Sequence, residues 1–309
     1  MTKTAFKSLL LLLIAVLLLS FLISTNNKLQ FISEKEQLED CEISIIFGGD
    51  LMLDRYIRTI GERKGYEHVF ENISSYLQNS DGVIANLEGP ITNNKSVSQY
   101  SEIGSRENFI FTIDPEVTPV LKQNNIIAVN LGNNHIYNFG QNGVDQTKLY
   151  LKEMDIKHIG FDNDPLYLNI KGNILALFNY NQFYPTTDID LLAEKIKKAE
   201  DAGYFIIVFA HWGNEYETEA NEHYQDTAHK LIDSGADFVV GSHPHVVQQS
   251  EIYNGKYIYY SLGNLTADQY FSQETRTGML LKLKMNCKNN NISLEEKTIY
   301  MRTNGQTTF

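Results

Sequence analysis

Short apolar runs, each stopped by a cluster of polar residues, constrain the fold of this chain more than any other feature. The runs cover residues 43–47, 82–85, 126–129, 205–209 and 238–240, and stretches of helical character separate them. Continuous apolar runs of this length are typical of strands that helices bury on both faces. Ligands bind beyond the carboxyl ends of the strands in open α/β sheets, so the polar clusters are expected to meet at one rim.

The polar clusters supply carboxylate, amide and imidazole side chains. Their sequences are GGD, NLEGP, LGNNH, HWG and GSHPH, and they hold Asp50, Glu88, Asn134, His135, His211, His243 and His245. This mixture favours divalent Mn, Fe, Zn or Co over calcium, which prefers oxygen ligands throughout. A carboxylate between two such cations is the usual two-metal arrangement, in which the metals polarise a phosphoryl oxygen and generate hydroxide near neutral pH. The rim therefore predicts hydrolysis of a phosphoester.

The N-terminus carries the pattern of a signal sequence or a signal anchor. Lys3 and Lys7 precede an apolar run over residues 9–23, which Ser20 alone interrupts, and no A-x-A-like cleavage site follows the run. We therefore expect residues 1–24 to form a cytoplasmic stub and a retained single-pass anchor in the cell membrane. The positive charges predict a cytoplasmic N-terminus and an extracellular main domain. Polar residues 25–40 predict a juxtamembrane linker, followed by a folded domain over residues 41–309.

The two cysteines and the net charge bear on the compartment and on the partners that are expected for that domain. Cys41 and Cys287 lie at its opposite ends, and outside the membrane they could form a disulfide. Two unpaired thiols fit the sequence equally well, because a sequence does not give the distance between them. The formal net charge of -12 argues against a nucleic-acid partner bound by bulk electrostatics. An anionic ligand would have to be gripped locally, and bound cations would supply the charge.

Taken in order, the polar clusters resemble the CapA family of poly-γ-glutamate capsule proteins, whose fold belongs with the calcineurin-like metallophosphatases. Further matches are Met52-Leu53 after the first GD, Glu215-Tyr216 after HWG, and YSLGN at residues 260–264. The resemblance covers roughly residues 43–285. It implies an α/β fold, a mixed β-sheet sandwich flanked by helices. It also implies a membrane-anchored protein that assists synthesis, export or retention of poly-γ-glutamate. The implied partners are the membrane, that polymer or another anionic polymer, and membrane-bound synthase subunits.

The resemblance further implies a role for each residue of the rim. The expected metal ligands are Asp50 and His245 at a first metal, Glu88 between the metals, and Asn134, His211 and His243 at a second. His135 would stand beside the reacting phosphoryl group as a donor or acid.

Two departures from the metallophosphatase pattern alter these expectations. Those enzymes begin with Asp-x-His, whereas the third position here is Met52, and a thioether is a poor ligand for these cations. Ile136 follows the Asn-His pair where aspartate is frequent, so His135 is expected to lack an orienting partner. Asp54 and Glu215 are candidates for an extra ligand or for a residue that orients one.

These departures predict one firm metal site, for Mn, Fe or Zn, and a weak second site. They leave two functions open, with a vestigial rim on a domain that only scaffolds partner proteins held in reserve. In the first, the domain binds the capsule polymer through metal at the rim. In the second, it is an extracellular metal-dependent phosphoesterase whose substrate is a phosphodiester or a lipid-linked phosphate.

Overall fold

The structure, a computed structural model, describes residues 41–161 and 164–309. The expected anchor over residues 1–24 and the expected linker over residues 25–40 lie outside the described residues. Within the ranges described, none of the helices combines the length and the apolar character that crossing a membrane requires.

Two units divide the chain. Among the described residues, one unit combines Cys41 and Glu42 with Asn286–Asn291, and the other combines Ile43–Met285 with Ile292–Phe309. In the first unit, Cys41 and Cys287 form a disulfide, and their Cα atoms lie 5.4 Å apart. The backbone N–H of Cys287 also donates to the carbonyl oxygen of Cys41 at 3.0 Å. The pairing that the sequence left open is therefore made.

Strands and helices alternate through most of the described chain. The strands are β1 (Glu42–Leu51), β2 (Gly82–Leu87), β3 (Ile126–Asn130), β4 (Lys157–Ile159), β5 (Leu166–Ile170), β6 (Asn173–Asn181), β7 (Phe205–His211), β8 (Phe238–Ser242), β9 (Ser250–Tyr253), β10 (Lys256–Tyr259), β11 (Asn264–Thr266), β12 (Thr277–Asn286), β13 (Ile292–Met301) and β14 (Thr307–Thr308). The helices are α1 (Arg55–Lys64), α2 (Glu67–Phe70), α3 (Ser74–Gln78), α4 (Val117–Gln123), α5 (Gly140–Glu153), α6 (Ile189–Asp201) and α7 (Glu222–Asp233), with a 3-10 turn at Arg106–Phe109.

These strands build two mixed sheets. One has the order β14-β13-β12-β1-β2-β3-β4, with β11 pairing to β1, and the other has the order β5-β6-β7-β8-β10-β9. The strands β1 to β4 run parallel, as do β6, β7, β8 and β10. Parallel strands point their carboxyl ends to the same edge of a sheet. The polar clusters that follow these strands therefore lie along those edges in the larger unit. All the predicted apolar runs are strands: β1, β2, β3, β7 and β8.

The two sheets of the larger unit pack face to face. The ring of Phe47 in β1 lies 6.5 Å from that of Phe209 in β7 and 5.5 Å from that of Phe238 in β8. Helix α6 buries Leu192, Ile196 and other residues at helical spacing against the second sheet, as an amphipathic helix does. The expected α/β sandwich of mixed sheets with flanking helices is thereby confirmed.

Candidate metal centre

The carboxyl ends of three strands bring together a carboxylate and two imidazoles. Glu88 follows β2, His211 ends β7 and His243 follows β8. One ligand atom of each residue lies within 4.8 Å of the others, and all three side chains are buried. We call this group the metal cluster. Its donor set is typical of sites for zinc and other divalent transition metals.

Two atoms of the metal cluster have no hydrogen-bond partner among the described residues. Oε1 of Glu88 and Nδ1 of His243 are both buried and both unpaired there, a condition that costs free energy. Burial, followed by the charge of Asp50, holds the pKa of Glu88 well above its usual value. A cation bound here would pair both orphaned atoms and supply the opposite charge that favours the ionised carboxylate. The residues present therefore fit a divalent metal.

The orientation of His211 supports the same conclusion. Oγ of Ser242 donates to a carbonyl oxygen of β7 at 3.0 Å, so it accepts the proton of Nδ1 of His211, 3.0 Å away. Nε2 then carries the lone pair. It lies 3.8 Å from Oε1 of Glu88 and 2.8 Å from Oδ1 of Asn134. Acceptor atoms that face one another in this way are stabilised by a cation among them.

Asp50 and His245 hold each other beside the metal cluster. Nδ1 of His245 lies 3.1 Å from Oδ2 of Asp50. Burial opposes a charge on His245, but the hydrogen bond and charge of Asp50 outweigh it and raise the pKa of the imidazole. Oδ1 of Asp50 also accepts from Asn86 at 2.7 Å, and Oδ2 accepts from the backbone N–H of His243 at 3.1 Å. Protein donors thus reach both oxygens of Asp50. The assignment of Asp50 and His245 to a first metal stays a prediction.

The two histidines of GSHPH therefore diverge, as their separation by Pro244 suggests. His243 joins the metal cluster, whereas His245 turns to Asp50. Both backbones have positive φ, 97° at His243 and 59° at His245, and so do Arg55 at 50° and Tyr216 at 68°. Backbone strain of this kind costs about 1–3 kcal/mol per residue and concentrates at functional sites. A recess adjoins the metal cluster, and all of these residues line one or the other. The recess is lined by Met52, Arg55, Phe109, Phe111, His135, Glu215, Tyr216, His245, Ala267 and Gln269.

Met52 lies close to the site but packs in an apolar environment. It is 2% exposed and contacts Phe111 and Ala267. The thioether thus fills space where a metallophosphatase would present an imidazole.

The two further candidates, Asp54 and Glu215, do not join the metal cluster. Asp54 is buried, and its Oδ2 accepts from Oγ of Ser98 at 2.8 Å and from the backbone N–H of Thr112 at 2.7 Å. It therefore fixes the long connection between β2 and α4. Glu215 is exposed, lines the recess that also holds His135 and His245, and adds to the raised pKa of Glu88.

His135 lies at the edge of the metal cluster with a fixed orientation. Its Nε2 is 3.8 Å from Oε1 of Glu88, and its Nδ1 is 3.1 Å from Oδ1 of Asn138. The expectation that His135 lacks an orienting partner is wrong, because Asn138, in the same turn, takes that place. Burial lowers the pKa of His135 to about 4. The imidazole is therefore neutral at pH 7, and its Nε2 faces the cluster.

Sequence reasoning missed Asn86, which joins the two buried carboxylates. Its Nδ2 donates to Oδ1 of Asp50 and to Oε2 of Glu88, and its Oδ1 accepts from Asn130 at 3.0 Å. A signal was available, because residues two apart at the end of a strand share one face. Sequence reasoning also missed Phe183, whose ring lies 4.4 Å from that of His243, and no local pattern places it there.

Comparison with known proteins gives matches over most of this chain. The family described as "Bacterial capsule synthesis protein PGA_cap" matches residues 44–269. The capsule biosynthesis protein CapA of Bacillus anthracis is 29% identical over 255 residues, which cover 75% of this chain and 61% of that protein. The PGA biosynthesis protein CapA of Bacillus subtilis (strain 168) is 29% identical over 263 residues, covering 79% and 68%. A probable polyglutamine synthesis accessory protein of Mycobacterium tuberculosis is 23% identical over 289 residues, covering 73% and 74%.

A solved structure shares the fold. A hypothetical protein from Thermus thermophilus superposes with a TM-score of 0.51 at 15% identity, covering 83% of this chain and 98% of that one. At this identity the likeness supports the architecture alone.

Proposed function

Since the chain belongs to the bacterial capsule synthesis protein family PGA_cap, we propose that it assists the synthesis, export or retention of poly-γ-glutamate at the cell surface. The family match over residues 44–269 carries this proposal. The relatives named for capsule and PGA biosynthesis in Bacillus suggest the polymer, although the chain spans only 61% of the Bacillus anthracis relative.

The proposal includes a location outside the cell. Residues 1–24 would anchor the chain in the membrane with the N-terminus in the cytoplasm, as the lysines before the apolar run favour. The disulfide between Cys41 and Cys287 supports an oxidising compartment, because such bonds are rare in the cytosol. Membrane-bound synthase subunits are then the natural neighbours of the domain.

A divalent metal at the metal cluster is the third part of the proposal. Glu88, His211 and His243 would hold the ion, with Asn134 beside it. When bound, the metal would supply positive charge and polarise a carboxyl or phosphoryl oxygen. The chain itself carries a formal net charge of -12, so a local cation is the means by which it could approach an acidic polymer.

Metal-dependent hydrolysis of a phosphoester is a second candidate function, and the placement of His135 favours it. The neutral ring is oriented by Asn138, and its Nε2 lies 3.8 Å from Glu88. From there His135 can accept and hold a proton at Nε2 next to the reacting group. A donating role would first require protonation of that nitrogen. The substrate class would be a phosphodiester or a lipid-linked phosphate.

Complementation of a deletion strain tests the capsule role. We expect the deletion to lower cell-bound poly-γ-glutamate, the wild-type gene to restore it, and Glu88→Gln and His211→Ala to fail. His229→Ala is the matched control, because that histidine bonds to Glu251 outside the metal cluster. A deletion strain with normal surface polymer, or a host that makes no such polymer, would refute the role. Metal-dependent cleavage of an aryl phosphodiester by the purified chain tests the second candidate separately.

A further inference from the structure

A groove of about 520 Å³ opens beside the metal centre. Its walls come from residues 98–109, from residues 268–271 and from the start of α1. The groove shares Arg55, Phe109, Tyr216 and Gln269 with the recess that holds His135 and His245. A ligand that occupies the groove would therefore reach the edge of the metal cluster.

Arg55 lies where the groove meets the recess. Among the residues described, it is the one lysine or arginine that lines either of them. Its Nη2 is 2.5 Å from Oδ1 of Asp268, and its guanidinium carbon lies 5.1 Å from the centre of the Phe111 ring. Nε is buried and has no hydrogen-bond partner within the described chain. Asp268 and Phe111 thus hold the guanidinium in place, and an anion that enters the recess would meet the N–H groups that Asp268 does not engage.

The rest of the groove is lined by aromatic rings, by uncharged polar side chains, and by Ile103 and Gly104. Tyr56, Phe109, Tyr270 and Phe271 supply the rings, with Phe271 67% exposed. The one carboxylate that the described residues contribute to the lining, Asp268, is already engaged by Arg55 and by the backbone N–H of Tyr56 at 3.1 Å. Such a lining suits a chain that alternates methylene groups with amides and carries spaced carboxylates.

We propose that this groove binds an anionic γ-glutamyl chain, with one carboxylate received by Arg55 beside the metal centre. The inference rests on the proposed capsule function and names the place where the polymer enters the site. Methylene groups of each γ-linked unit would lie on the aromatic rings, while its amides would face the polar side chains. Because Arg55 is a single cation at one end of the groove, it suits a chain that is bound through one carboxylate. A polyanion bound along its length would need a basic surface.

Binding of a fluorescent γ-linked glutamate oligomer to the full-length chain in detergent, with Mn²⁺ present, tests the groove. Fluorescence anisotropy at fixed ionic strength is expected to show Kd raised about tenfold or more by Arg55→Gln, since charge-assisted hydrogen bonds contribute about 1.5–3 kcal/mol. Phe271→Ala is expected to raise Kd about threefold or more. An α-linked oligomer of equal charge should compete poorly.

Matched controls distinguish a loss of contacts in the groove from a general effect of charge and from misfolding. Lys152→Gln removes an exposed cation from α5, and Ile252→Ala removes a 64% exposed apolar side chain from β9. Both are expected to leave Kd within about twofold of the wild-type value. Melting temperatures check the fold. If Arg55→Gln does not fold, Phe271→Ala decides the result, because its side chain is exposed.

Unchanged binding by Arg55→Gln and Phe271→Ala, or a loss confined to Lys152→Gln, would overturn the inference. The same assay with a prenyl phosphate in the micelles gives another result that would overturn the inference. If the prenyl phosphate binds and needs Arg55, while the oligomer does not bind, the groove holds a lipid. The capsule role would survive either result if the metal-cluster variants still failed to complement. Normal surface polymer in the deletion strain would instead remove the proposed function itself.

Discussion

His211 turns the lone pair of its Nε2 toward Oε1 of Glu88, 3.8 Å away in the buried interior. Ser242 fixes this tautomer by accepting the proton of Nδ1, and Oε1 of Glu88 has no hydrogen-bond partner in the part of the chain that the structure describes. Two buried acceptors that face each other destabilise the folded chain unless a cation or a proton lies between them.

The full-length chain, purified without chelator, is expected to hold about one divalent metal ion. His243→Ala and Glu88→Gln should each lower the metal content well below that value, because each removes a ligand of the cluster. His229→Ala should leave it unchanged, since that ring bonds to Glu251 instead. Elemental analysis of the detergent-purified protein gives the metal-to-protein ratio.

The substitution Asp50→Asn distinguishes a site that holds one metal ion from a site that holds two. Both oxygens of Asp50 already accept hydrogen bonds, so the substitution is expected to keep the metal. It should nevertheless lower the melting temperature, because His245 loses the charge that it pairs with. A ratio near two in the wild type that falls by about one ion in Asp50→Asn would contradict this expectation. It would instead assign Asp50 and His245 to a first metal.

The architecture and the position of the rim could be predicted from the sequence because they follow from strand ends. Glu88 and His243 directly follow the strands β2 and β8, and His211 ends β7, so parallel strands were sufficient to bring them together. Side chains whose role depends on the path of a loop could not be found in this way. Asn138 reaches His135 through a turn, and Arg55 meets Asp268 across most of the chain. Neither the conformation of the turn nor the long-range contact can be read from the pattern of strand ends.

Asn86→Ala is expected to lower the free energy of unfolding by about 3 kcal/mol. Asn86 is the donor that separates the carboxylates of Asp50 and Glu88, and its loss leaves both short of a partner in a buried site. Urea unfolding of the wild type and the variant measures the difference. Asn214→Ala is the control, because that side chain is exposed and bonds only to Glu217 among the contacts described. Equal stability of Asn86→Ala and wild type would show that a metal alone neutralises the pair.

The disulfide between Cys41 and Cys287 joins residues 246 positions apart in the sequence. Closing so long a loop restricts the unfolded chain, and the bond is expected to contribute about 2–5 kcal/mol. A reducing agent should therefore lower the melting temperature of the wild type. It should have no effect on the Cys41→Ser, Cys287→Ser double variant, which should melt near the reduced wild type. Free thiols on the chain in intact cells, found by alkylation, would argue against the proposed extracellular location.

His135→Gln tests the hydrolytic candidate without removing a metal ligand. A residue that exchanges a proton with the reacting group contributes about 10²–10⁴-fold to the rate, so kcat for an aryl phosphodiester should fall by that order while the metal content stays constant. Asn138→Ala should lower kcat less, by about 10-fold, because the ring remains but loses the bond that orients it. Loss of activity in His229→Ala as well would point to instability. If His135→Gln kept full activity with metal bound, the proton transfer would have to run through another group, and Glu215, which shares the recess with His135, would be the residue to test next.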